Sequence, residues 1–77
     1  MSFYTAARIS ADKYTFERVD NGVYAVDTEQ GPIIIQKVHP SSGPMHWVAT
    51  NGDNNIEYRD CTRYAALHGA LIKLHII

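Results

Sequence analysis

DCTRYAALHGALIKLHII, residues 60–77, decides the fold of this chain. At roughly 100° per residue, Tyr64, Leu67, Leu71 and Leu74 form one helical wall, Ala66, Ala70 and Ile77 extend it, and Ala65, Ile72 and Ile76 form a second. Only Thr62, Gly69 and Lys73 make a polar strip. The stretch therefore predicts a helix that is apolar around almost its whole circumference. Such a helix is buried in a large core or against a partner, and a chain of 77 residues has little core to offer. Ala65, Gly69, Ile72 and Ile76 are accordingly expected to face a second copy, as a homodimer, or another protein. Gly69 costs about 1 kcal/mol relative to alanine in mid-helix and leaves a flat patch with Ala65. That patch suits close approach of another backbone, either the chain's own sheet or a second helix.

Working back toward the N-terminus, the chain alternates β-prone runs with turn residues. Ile56 and Tyr58 alternate with Glu57 and Arg59, and Asp60 or Thr62 supplies a helix cap. NGDNN (51–55) is a polar turn, preceded by a strand over Met45–Thr50 whose Trp47 should anchor the sheet. HPSSGP (39–44) is a loop. PIIIQKV (32–38) is the most β-prone run. If Asp27 lies opposite Pro32, then Tyr24, Val26, Ile33 and Ile35 share one face and Ala25 and Ile34 the other, which places this strand centrally. Asn21-Gly22 between KYTFERV and VYAVD predicts a hairpin with a type I′ turn, in which both central residues take positive φ. Residues 1–12 lean to a strand. The expectation is a single α+β domain over 1–77: a small antiparallel sheet of four or five strands with one C-terminal helix packed on one face.

Composition removes several classes of function. Seven Lys and Arg against eight Asp and Glu give a formal charge of −1, and the basic residues are scattered, so no footprint for a nucleic acid backbone stands out. The basic contacts that folding is able to gather are Arg18, Arg59 and Arg63, interleaved with Glu17, Glu57 and Asp60. The one cysteine, Cys61, forms no internal disulfide, and there is no paired-cysteine zinc pattern. The N-terminus has no basic stretch followed by an apolar core, and the apolar C-terminal run is shorter than the ~20 residues a bilayer needs. A cytoplasmic protein without a membrane segment is expected.

Neither a metal nor a catalytic site is expected. Cys61, His68 and His75 recur at seven-residue spacing on one stripe with Tyr64, but two helical turns separate neighbours by about 10.5 Å, too far to share one ion. A metal would need His39 or His46 from the loop. Cys61 at a helix start has a physical route to a lowered thiol pKa, which the adjacent Asp60 opposes. The glycines are isolated, so no phosphate-cradling loop is present. Strand aromatics (Tyr14, Phe16, Tyr24, Trp47, Tyr58) are read first as packing residues, with base stacking as the alternative. The segment HPSSGPMHW is the chosen binding edge: prolines reduce the entropy lost on binding, and His39, Met45, His46 and Trp47 supply contacts.

In size and organisation the chain resembles the small stand-alone α+β proteins of phages and mobile elements, among them anti-CRISPR and other host-takeover inhibitors. The resemblance implies a non-enzymatic, cofactor-free protein that binds a larger bacterial complex and blocks it. The alternatives are a nucleic-acid-binding accessory protein and, behind it, a small enzyme using Cys61 and a histidine.

Overall fold

A computed structural model describes residues 14–76. Five strands, β1 (Glu17–Asp20), β2 (Val23–Val26), β3 (Ile33–Val38), β4 (His46–Asn51) and β5 (Ile56–Asp60), precede one helix, α1 (Arg63–Lys73). The strands form one antiparallel meander in the order β1-β2-β3-β4-β5, and the helix lies across a single face, giving the α+β architecture read from the sequence. The strand expected within residues 1–12, and Ile77, lie outside the described residues.

Register explains the core. Val26 pairs with Ile33, Tyr24 with Ile35, Ile35 with Ala49 and Ala49 with Tyr58. Because side chains alternate with period two, these residues share the helix-facing side, where Val26, Ile33, Ile35 and Ala49 are fully buried. Ala66, Leu67, Ala70, Leu71 and Leu74 close over them from α1. Burying each of the leucines contributes about 1.5–3 kcal/mol. Ile34, on the reverse face, keeps 37% of its surface, which agrees with the split of faces read from PIIIQKV.

The β1–β2 hairpin forms, but its turn differs from the expected type I′. Of the two central residues only Gly22 takes positive φ, at 71°. The pairing shifts by one residue between Arg18 and Asp20, and this bulge supplies the twist that a type I′ turn would otherwise provide.

The 51–55 turn is more than a polar reversal. Asn51 is 1% exposed and donates through Nδ2 to the carbonyls of Gln30 (3.2 Å) and Pro32 (3.1 Å). Its Oδ1 accepts from the backbone N–H of Asn54 at 2.9 Å and from Asn54 Nδ2 at 3.0 Å. One buried amide thus ties the β2–β3 loop to the β4–β5 loop with all its capacity used.

Both ends of α1 are capped. Thr62, extended at φ −129° and ψ 158°, accepts from the N–H of Ala65 at 3.1 Å, the N-cap arrangement. Asp60 is committed elsewhere: its Oδ1 accepts from the N–H of Cys61 at 2.7 Å and its Oδ2 from the Tyr58 hydroxyl at 3.1 Å. At the other end the helix stops at Lys73 rather than running to Ile77. His75 takes φ 59°, its N–H bonds the carbonyl of Ile72, and the N–H of Ile76 bonds that of Leu71. This pair of bonds is the Schellman motif. It folds Ile76 back against the core, so Ile76 belongs to the core side and not to a second helical wall. Left-handed backbone disfavours any side chain, so His75→Gly should raise stability by about 1 kcal/mol, read as a higher denaturant midpoint with an unchanged slope.

The polar strip also differs from the expected one. Gly69 is buried, and a Cβ built there would collide with the ring of Tyr58 on β5. With Gly69 turned inward, Ala65 is buried too, and the outward stripe becomes Cys61, Tyr64, Ile72 and His75, with His68 half-buried. Tyr64 keeps 38% of its surface and Ile72 48%. The twisted sheet and Tyr58 together cover a wider arc of α1 than one flat face would.

Candidate functional site

The side chains that converge most closely lie where α1 begins. Arg18 pairs with Tyr24 across β1 and β2, and Lys37 with Trp47 across β3 and β4, so all four project on the helix-facing side. Trp47 pairs in turn with Asp60, after which the chain turns through Cys61 and Thr62 and sets Arg63, the first residue of α1, over the same end of the sheet. A groove of about 560 Å³ results, walled by Arg18, Lys37 and Arg63 together with Tyr24, Trp47 and Tyr64.

Arg63 organises this groove. Its guanidinium carbon lies 4.4 Å from the Tyr24 ring centroid, 4.8 Å from that of Phe16 and 5.5 Å from that of Tyr64. The rings brace one another edge-on: Phe16 and Tyr64 are 5.3 Å apart at 79°, and Phe16 and Tyr24 6.0 Å apart at 86°. Lys37 Nζ stands 5.9 Å from the Trp47 ring. Cation–π contacts of this kind are worth about 0.5–2 kcal/mol according to their exposure, and each engages one face of a ring while leaving N–H donors able to meet an anion.

Among the described residues, no acidic side chain walls the groove. Arg18 Nη2 donates to Asn21 Oδ1 at 3.4 Å. Asp60, beside the groove, has its oxygens on Tyr58 and Cys61, and Asp20 Oδ1 accepts from the N–H of Asn21 at 2.8 Å. Cys61 and Thr62 also line the groove, so the start of α1 opens into it. The N–H groups of Arg63 and Tyr64 have no acceptor within the helix, and the helix dipole adds positive potential there.

Arg18, Arg63 and Trp47 meet at the groove. Arg59 is on the reverse face of the sheet, paired with Glu57 at 3.5 Å. His39 is exposed and borders a smaller hollow of about 190 Å³ that shares Asn21, Gly22 and Lys37 with the groove. His46 is on the reverse face, its Nδ1 3.4 Å from the carbonyl of Pro44, and Met45 is 38% exposed. Ala65 and Gly69 are buried, Gly69 against the Tyr58 ring of β5, Ile76 folds onto the core and Ile72 points outward, so these four do not share a surface. Lys37, Tyr24 and Tyr64 were not singled out as site residues. The register of β3 against β4 is the signal that brings Lys37 to Trp47.

Tyr58 and Tyr14 carry the perturbed ionisations. Burial raises the Tyr58 phenol above its ordinary 10.0, and the hydrogen bond and negative charge of Asp60 push the same way. Tyr14 is raised by burial and then by Glu29. The folded chain holds both protons more tightly than the unfolded chain. Their contribution is therefore fully present below about pH 10 and is lost as pH rises through the raised folded values. Tyr58→Phe should flatten the alkaline limb of a stability–pH curve above that point, leaving the part due to Tyr14.

Among the described residues no three His, Cys, Asp or Glu side chains come together as a metal site would require, and no helix is long and apolar enough to cross a membrane. Comparison with protein-family models, with curated proteins and with solved structures finds no match to this chain.

Proposed function

We propose that this chain acts by binding rather than by catalysis, as a small module that receives an anionic element of a larger partner in the groove at the start of α1. One observation carries the reading: Arg18, Lys37 and Arg63 converge there with no acidic wall residue among the described ones, in a chain whose net charge is −1. A local cluster of one sign against an overall balance of the other marks a surface suited to an oppositely charged partner. The inhibitor form of this reading, in which a phage-type or anti-CRISPR-like protein covers part of a bacterial complex, is supported by scale: a chain of 77 residues has room to occlude but little to build a deep cleft. Its one cysteine accords with a reducing, cytoplasmic setting. Self-association through the described part of α1 would use Tyr64 and Ile72, its exposed large apolar residues.

A nucleic acid is the second reading, and the rings of Tyr24, Trp47 and Tyr64 among the cations favour it. The test of the common claim is to follow the backbone amide resonances of the full chain during titration with polyglutamate in one series and polyphosphate in another. Shifts centred on Arg18, Lys37 and residues 61–64 are expected in at least one series. Shifts centred instead on Ile34, Val48 and Arg59, across the reverse face, or no shifts in either series, would sink the proposal.

A further inference from the structure

Resting on the reading of the groove as the binding surface, we infer that its occupant is a segment of single-stranded nucleic acid, with phosphate at the cations and the start of α1 and a base against the aromatic wall. The charges alone do not decide this, since an acidic protein surface satisfies them equally. The rings do. Trp47 and Tyr64 stand among Arg18, Lys37 and Arg63 in one groove, and Tyr64 retains 38% of its surface. A carboxylate gains nothing from a ring face, because the quadrupole there is negative. A nucleotide carries an anion and a flat π-surface within a few bonds of each other, and stacking a base on an aromatic ring is favourable whatever the base.

Size and strandedness follow from the same geometry. A groove of about 560 Å³ falls within the ~300–1,000 Å³ of small-ligand sites, enough for one nucleotide unit. In a duplex the base faces are stacked on one another and unavailable to a ring on the protein. The guanidinium of Arg63 is fixed by three rings, so its donors are oriented before the ligand arrives and less freedom is lost on binding. Among the described residues Asn21 is the side-chain amide that lines the groove, so binding is expected to be tolerant of sequence. The smaller hollow lined by Asn21, Gly22, Lys37 and His39 adjoins the groove at Lys37, in a direction a second phosphate is able to take.

The test uses the chain's only tryptophan, since Trp47 walls the groove and its emission reports occupancy there. The full chain is titrated at low salt with an oligothymidylate of about eight nucleotides, within the ~4–16 nucleotide range of small single-strand binders. A glutamate-rich peptide of equal charge and inorganic phosphate are titrated in parallel. The expected result is saturable quenching by the oligonucleotide, with Lys37→Ala, an exposed position, weakening it by about tenfold, the scale of one charge-assisted contact. Quenching that both Lys37→Ala and Arg18→Ala leave unchanged would place the strand elsewhere and overturn the inference. So would phosphate that matches the oligonucleotide in affinity, because the base would then contribute nothing. If the peptide shifts groove resonances while the oligonucleotide leaves emission and resonances unaltered, the inference falls and the anion-binding groove stands. If none of the three ligands binds, both fall together.

Discussion

Leu71→Asp should leave no cooperative unfolding transition at all. Leu71 is fully buried at the centre of the α1–sheet contact, against Val26, Ile33, Ile35 and Ala49. The substitution removes ~2–5 kcal/mol of apolar packing and adds the several kcal/mol of an unpaired buried carboxylate. A domain's entire margin is about 5–15 kcal/mol, and one this small sits toward the bottom of that range. Leu71→Ala, which introduces no charge, should stay folded but lose about 2–5 kcal/mol in denaturant titration. The neighbouring Ile72, 48% exposed, is the control. Ile72→Asp should keep the near-ultraviolet dichroism of the parent and change stability by no more than about 0.5–1 kcal/mol. Equal damage at the two positions would mean that α1 is rotated from the orientation described.

Gly69→Ala should destabilise the chain, against the sign that helix propensity alone gives. On propensity the substitution gains about 1 kcal/mol. The added methyl would meet the Tyr58 ring at its Cδ2, Cε2 and Cζ atoms, and that ring is not free to swing, because its hydroxyl is held by Asp60 and its edge lies under the helix. Overpacking of this kind costs ~1–3 kcal/mol, toward the upper end where the ring is held in place, so a net loss of up to about 2 kcal/mol is expected from denaturant titration. Gly69→Ala combined with Tyr58→Leu should recover most of it, since the two changes act on one contact and are not additive. A stabilised Gly69→Ala variant would show that Tyr58 does not pack beneath the helix.

What was legible in the sequence and what was not divide along a physical line. The strands and their faces were legible because alternation is local and the turn at Gly31-Pro32 is short: placing Asp27 opposite Pro32 puts Ile33 and Ile35 with Tyr24 and Val26, and Ile34 on the other side. The hairpin at Asn21-Gly22 was legible, while its bulge was not, since nothing in ERVDNG distinguishes a shift of pairing at Val19 from regular register. The helix was legible as a segment apolar around most of its circumference, but its orientation depended on Tyr58, which is eleven residues from Gly69 in sequence and touches it only once β5 and α1 are in place. The C-terminal stop was hidden for a related reason. A histidine in left-handed backbone has no sequence signal as strong as a glycine, so Leu-His-Ile-Ile read as more helix. The groove combines both cases. Arg18, Arg63 and Trp47 stood out individually, but their convergence requires the β3–β4 register that brings Lys37 to Trp47 and the cap at Thr62 that sets Arg63 over Tyr24. A scattered distribution of charge along the chain was therefore a poor guide to its distribution in space.

The salt dependence of oligothymidylate binding tests the central claim most directly, because it counts the phosphate contacts. Among the described residues three cations wall the groove, and a single strand gives a slope of about −0.7 in log affinity against log salt for each phosphate neutralised. The account predicts a slope near −2 for the parent chain, falling by about 0.7 in Lys37→Ala and again in Arg18→Ala, with Arg59→Ala, on the reverse face, leaving it unchanged. A slope near zero, or one that Arg59→Ala lowers while Lys37→Ala does not, would contradict the placement of the binding surface at the start of α1.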